Sequence, residues 1–177
     1  LSLRRQRQMC IRDSNINISQ VQVSKSDVII DIADEMEKAG LSPEAMNIEL
    51  TESDLLEGDI NTQHFLKELK RMGIKLALDD FGTGYSNFHY LSELDPEIIK
   101  IDRSFTSSAV ADEKEYYLLK QFCRMIHNLG LKICIEGVEN QEEWAKIQKL
   151  EPDFGQGFFW GRPCGYDEFV RQFIEKK

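Results

Sequence analysis

No apolar run in the 177 residues approaches the roughly 18 that a membrane span requires. The four cysteines, Cys10, Cys123, Cys134 and Cys164, form no CxxC pair and no zinc-like spacing. They read as reduced thiols, which sets the domain in the cytoplasm and excludes a disulfide scaffold. Histidine is scarce: His64, His89 and His127 all fall in segments patterned as helices, so zinc lacks a ligand set. Positive charge is also short, 22 Lys and Arg against 31 Asp and Glu, for a net charge of -9. That balance excludes general binding to nucleic acid or to an anionic membrane surface. A small anionic ligand would need bound cations to supply what the side chains do not. A glycine-rich phosphate loop after the first strand is missing too. Gly82 and Gly84 follow a strand, but no third glycine comes after them and two acids stand before. What is present, 41% hydrophobic and 30% charged residues, describes one globular domain with a sizeable core.

The first fourteen residues, LSLRRQRQMCIRDS, stand apart. They carry four arginines against one aspartate, with no apolar segment behind them to make a targeting peptide. The string resembles translated sequencing-adapter read-through. Residues 1–14 are therefore read as a non-native leader and 15–177 as the domain.

From Asn15 onward short β-rich runs alternate with longer helical patterns. The spacing predicts strands at 15–19, 46–51, 74–80, 97–102, 131–136 and 153–159, and helices near 26–39, 60–72, 86–94, 113–129, 140–150 and 166–176. Gly40, Gly73 and Gly130 stand where helix C-caps belong, and Asn140 with Glu143 suits a capping pair. Alternation of this kind implies an α/β fold with a parallel sheet and right-handed crossovers. An open doubly wound sheet and a TIM-like (β/α)8 barrel, of which about six βα units are present, both satisfy it.

Strand parity favours the barrel. One face carries Ile16, Ile18, Ile48, Leu50, Leu76, Leu78, Ile99, Ile101, Ile133 and Ile135, which would pack against helices. The other carries Asn15, Asn17, Ser19, Asn47, Glu49, Thr51, Lys75, Ala77, Asp79, Ile98, Lys100, Asp102, Lys132, Cys134 and Glu136. An ordinary barrel interior is filled by Val, Ile and Leu; a polar one points to function.

Barrel enzymes assemble their sites at the C-terminal strand ends. Those ends present Asn17, Glu49, Asp79 with Asp80, Lys100 with Asp102, Glu136 and Gln156. So many acids on one rim repel one another unless a cation sits among them, and hard Mg²⁺ or Mn²⁺ accepts such oxygen ligands. Asp79 and Asp80 can serve one site only if the chain turns, which Phe81-Gly82-Thr83-Gly84 is suited to provide. One carboxylate bridging two metals about 3.5–4 Å apart is a recurrent device for phosphodiester hydrolysis. Lys100 fits a group that orients water or offsets phosphate charge.

These strings together resemble the EAL domain family. Asn17-Ile18-Ser19 is similar to its N-x-S strand, Glu49-Leu50-Thr51-Glu52 to ELTE, and Asp79 through Ser86 to DDFGTGYS. Lys100-Ile101-Asp102 is similar to KID, Glu136-Gly137-Val138-Glu139 to EGVE, and Gln156-Gly157-Phe158 to QGY/QGF. The resemblance implies metal-dependent hydrolysis of cyclic di-GMP to linear pGpG. It assigns Asn17, Glu49 and Asp79 to one metal, and Asp80 with Glu136 to the second. Lys100 would position the attacking water, Gln156 would contact water or substrate, and Glu52 would brace the loop after Asp80. It also associates loop 81–90 with a homodimer contact; many family members carry upstream sensory, GGDEF or membrane-anchoring domains, and which of these the parent protein has is left open.

No Glu-Ala-Leu tripeptide occurs in the chain. The expectation is therefore a partial domain lacking the strand that bears that metal-binding glutamate, inactive by itself while its parent is active. The alternative is a non-catalytic module that binds cyclic di-GMP or protein partners. Every visible ligand position is filled, which favours the enzyme.

Overall fold

A computed structural model describes residues 14–25, 27–51, 60–82, 91 and 94–174. Its six strands are β1 Ser14–Asn17, β2 Met46–Thr51, β3 Lys75–Phe81, β4 Ile98–Ile101, β5 Lys132–Ile135 and β6 Phe154–Gly155. All neighbours pair in parallel, and spatial order equals sequence order. A doubly wound sheet reverses its order at a switch point. No reversal occurs among the described strands, so the sheet is a section of barrel wall, an α/β half-barrel of the TIM type.

The helices are α1 Gln20–Val23, α2 Val28–Ala39, α3 Ile60–Met72, α4 Arg103–Ala111, α5 Glu113–Asn128, α6 Gln141–Ile147 and α7 Tyr166–Phe169, the last continued by a π-helical turn, Val170–Ile174; all but α7 contribute to the core on one face of the sheet. None of these helices is long and apolar enough to cross a membrane. Their ends follow local chemistry. α3 buries Thr62, Phe65 and Leu69, then stops at Gly73, whose φ of 78° lets Ile74 N–H reach back to the Leu69 carbonyl. Asn140 Oδ1 accepts from Glu143 N–H at 2.9 Å, capping α6. The Glu143 carboxylate reaches one residue further back than a capping box, to Glu139 N–H at 2.7 Å.

The sequence pattern does not predict α4. RSFTSSAVA is rich in Ser and β-branched residues, which are indifferent helix formers. The helix forms because Asp102 caps it, accepting from Ser104 N–H at 2.9 Å, and because Thr106 and Ala109 are buried. β6 is shorter than the expected 153–159: past Gly155 the Gln156 N–H still bonds Ile135, but the Gln156 carbonyl and Phe159 N–H bond the backbone of Val138, beyond the end of β5. Most of the expected helix 86–94 lies outside the described residues.

The outward set behaves as its parity requires. Ile48, Leu50, Leu78, Ile99, Ile101, Ile133 and Ile135 are buried against Phe65, Leu69, Leu119, Ile126 and Ile147. Ile16, on edge strand β1, remains 39% exposed. The inner face is layered rather than uniformly polar. Ala77, Ile98 and Cys134, with Phe154 against them, form a small apolar layer across its middle. Toward the strand N-termini, Glu97 lies 2.5 Å from Lys132 and 3.9 Å from Lys75, and Asn47 donates to Asn15 at 2.8 Å. The charged cluster occupies the opposite end.

Candidate functional site

The Lys100 ammonium sits among three carboxylates from neighbouring strands. It lies 2.7 Å from Glu49 Oε2, 2.9 Å from Asp79 Oδ1 and 2.8 Å from Glu136 Oε1. Lys100 and Glu49 side chains are each 4% exposed, so little solvent screens the group. Burial alone would drive the proton off Lys100. The close carboxylates of Glu136, Glu49 and Asp79 outweigh it and hold the amine above its ordinary range. One ammonium does not neutralise three acids. Glu136 Oε1 is buried and 2.8 Å from the ammonium, but that contact lacks the angles of a well-formed hydrogen bond, so the oxygen keeps capacity for a further partner. Burial raises the Glu136 carboxyl above its usual 4.5; Lys100 offsets part of this, while Asp79 and Glu49 add to it.

Asp79 and Asp80 reach the same site through a bulge. The β3–β4 register shifts between Leu78 and Phe81, and Asp80 takes a left-handed conformation with φ 51°. Aspartate tolerates that region better than most residues. Its N–H donates to Asp79 Oδ1 at 3.0 Å. The turn thus falls within the strand, earlier than the glycines at 82–84. Oxygens of Asp79, Asp80 and Glu136 all lie within 4.8 Å of one another. Burial, then repulsion from Asp79 and Asp102, raises the Asp80 carboxyl, with Lys100 opposing. Asp102 itself is held low, chiefly by the Ser104 hydroxyl, and is committed to capping α4.

Asn17 pairs in register with Glu49, which brings it to the same rim from β1. Gln156 donates its N–H to the Ile135 carbonyl at 2.9 Å, one residue from Glu136. Glu52 lies outside the described residues, as does the 81–90 loop beyond Gly82. Beneath the cluster Cys134 is a register partner of Lys100, and burial pushes its thiol up to about 12. Its signal in the sequence is only its parity on β5.

An all-oxygen donor set, three carboxylates in reach of one point and an undirected buried oxygen together fit a hard divalent cation. The raised carboxyls predict how such binding depends on pH. An acid with a raised folded-state pKa weakens the fold when ionised, and this contribution is relieved as pH falls through that pKa. Cation binding has the opposite sign, because it needs the carboxylates ionised. Mn²⁺ affinity, followed by titration calorimetry, is therefore expected to fall on acidification while the pH is still above 4.5; a decline beginning only below that value contradicts the geometry.

The family model described as "EAL domain" matches residues 1–163. Among curated proteins, the cyclic di-GMP phosphodiesterase PdeA of Borreliella burgdorferi is 35% identical over 149 residues, 84% of this chain and 22% of that protein. The chain thus spans about a fifth of the length of the curated relatives it matches. Among solved structures, the EAL enzyme Bd1971 with cAMP and cyclic di-GMP bound superposes with a TM-score of 0.85 at 29% identity, covering 92% of this chain and 43% of that one. The manganese and cyclic di-GMP complex of Klebsiella pneumoniae BlrP1 gives 0.79 at 31% identity, covering 86% and 39%.

Proposed function

The chain belongs to the EAL domain family, and from that premise we propose that it carries the metal-binding wall of a phosphodiesterase that hydrolyses cyclic di-GMP to linear pGpG. The observation supporting this most is the crowding of Glu49, Asp79 and Glu136 around one ammonium, with Asp80 turned toward Asp79 and Glu136. Asn17, Glu49 and Asp79 would hold one Mg²⁺ or Mn²⁺ ion, and Asp80 with Glu136 a second, Asp79 being shared. Bound divalent ions would offset the charge of the diester and of its leaving oxygen.

Lys100 keeps its proton, so it acts as a donor and a fixed charge that orients the attacking water, not as a base. Glu136, its carboxyl raised by burial, is the better acceptor for the water proton. Gln156 contacts water or substrate from the neighbouring strand end, and Glu52 braces the loop after Asp80. Cyclic di-GMP is the ligand, and loop 81–90 the dimer contact. The domain works in the cytoplasm, and any sensory, GGDEF or membrane-anchoring segment belongs to a longer parent protein.

The chain holds no Glu-Ala-Leu strand, so its residues alone do not complete the ligand set. Chromatography of cyclic di-GMP incubated with Mn²⁺ tests both statements. The 177-residue chain is expected to form no more pGpG than its Lys100→Ala variant. A version extended by a segment bearing a Glu-Ala-Leu strand is expected to form pGpG and to lose that activity on Lys100→Ala. Turnover by the unextended chain overturns the need for the extra ligand; silence of the extended protein overturns the hydrolase reading.

A further inference from the structure

The loop after β5 and the junction between β4 and α4 are fastened together by groups that the proposed chemistry does not use. Gly137 follows Glu136 immediately, with φ 73°. A Cβ placed there would lie 2.3–2.9 Å from the Cβ, Cγ and Cδ of Arg103, so the arginine stem lies directly across the glycine backbone. Beyond it, the Arg103 guanidinium reaches Glu139 Oε1 at 2.5 Å. Glu139 is itself anchored, its N–H donating to the Glu143 carboxylate at the start of α6. Arg103 follows Asp102, two residues past Lys100 on β4, and Glu136 N–H bonds the Ile101 carbonyl at 3.1 Å. The strap therefore joins the two rim segments that bear Lys100 and Glu136.

We propose that Arg103, with Gly137 and Glu139, is a positioning device that fixes the Glu136 backbone, and hence its carboxylate, for the divalent cation. The inference rests on the metal reading above. An exposed ion pair contributes little to global stability, and Arg103 is 58% exposed. Its value lies in geometry: groups behind a metal ligand that hold its orientation typically change affinity by about 10–100-fold. Glycine at 137 is required twice over, by its left-handed backbone and by the arginine stem packed against it.

The test is Mn²⁺ affinity of the full chain by titration calorimetry, with the Mn²⁺ electron paramagnetic resonance signal as a second readout and thermal melting in EDTA as the control. Arg103→Ala is expected to weaken Mn²⁺ binding about tenfold or more, with the metal-free melting curve nearly unchanged. Arg103→Met keeps the stem and loses the charge; it is expected to match the alanine variant, whereas Arg103→Lys restores most of the affinity. Unaltered Mn²⁺ affinity in Arg103→Ala overturns the positioning role while leaving the metal reading intact. Absence of measurable Mn²⁺ binding both in the original chain and in the version extended by a Glu-Ala-Leu strand overturns both. A parallel loss of melting temperature and affinity, unrescued by lysine, reduces the strap to an ordinary structural contact and also overturns the inference.

Discussion

Replacing Lys100 by methionine is expected to destabilise the metal-free chain by about 3–5 kcal/mol, the usual cost of removing one partner from a buried ion pair. Methionine keeps the length and apolar stem of the lysine, so the change isolates the charge. Without the ammonium, Glu49, Asp79 and Glu136 face one another with almost no solvent between them. Two remedies exist, and both are measurable. Acid protonates the carboxylates, so the deficit is expected to shrink as pH falls. Mn²⁺ supplies the missing charge, so millimolar Mn²⁺ is expected to raise the melting temperature of the variant more than that of the original chain. Urea melts at several pH values, with Mn²⁺ or with EDTA, resolve both. A loss below about 1 kcal/mol, within the range of an exposed pair, or equal Mn²⁺ effects on the two proteins, contradicts the arrangement.

The second large effect is expected at Gly157. An alanine Cβ there would stand 2.1 Å from the Val138 carbonyl oxygen and 2.6 Å from its nitrogen, contacts that only a backbone shift relieves. Val138 is fully buried and holds the rim loop through two bonds, donating to the Gln156 carbonyl and accepting from Phe159 N–H. Gly157→Ala is expected to cost about 2–3 kcal/mol, as overpacking does. For a domain of this size that corresponds to a melting-temperature loss of about 4–12 °C. Gly165→Ala is the matched control, because a Cβ there meets nothing within 4 Å. Equal melting temperatures for the two variants contradict the close approach.

Much of this was legible because a strand's period is two and its ends are chemically marked. The isoleucines at 99, 101, 133 and 135 announce a buried outer face, and Glu49, Asp79, Lys100 and Glu136 fall on the opposite parity. Three features were not legible, each for a definable reason. The bulge at Asp79–Asp80 is a conformational choice of a residue that tolerates either region, and no composition marks it. Helix α4 depends on a cap and on burial, both tertiary in origin, while its own residues are neutral. The pairing of Glu97 with Lys132 and Lys75 joins residues whose strands must first be aligned. Parity predicts that the lysines face inward; it does not say what meets them. The apolar layer of Ala77, Ile98 and Cys134 was visible as letters but was outweighed by the charged residues around it.

The strictly sequential strand order bears on how such a wall is made. Each described strand finds its partner in the next stretch of chain, never across a distant one. Loop closure is then limited to one crossover at a time, and the entropy lost at each step is small. During synthesis, which delivers roughly 5–20 residues per second, β2 and β3 can pair long before β6 leaves the ribosome. The carboxylates of Glu49 and Asp79 come together in that early pair. Their ammonium arrives only with β4, so the nascent wall carries an uncompensated charge for the time it takes to translate one further crossover.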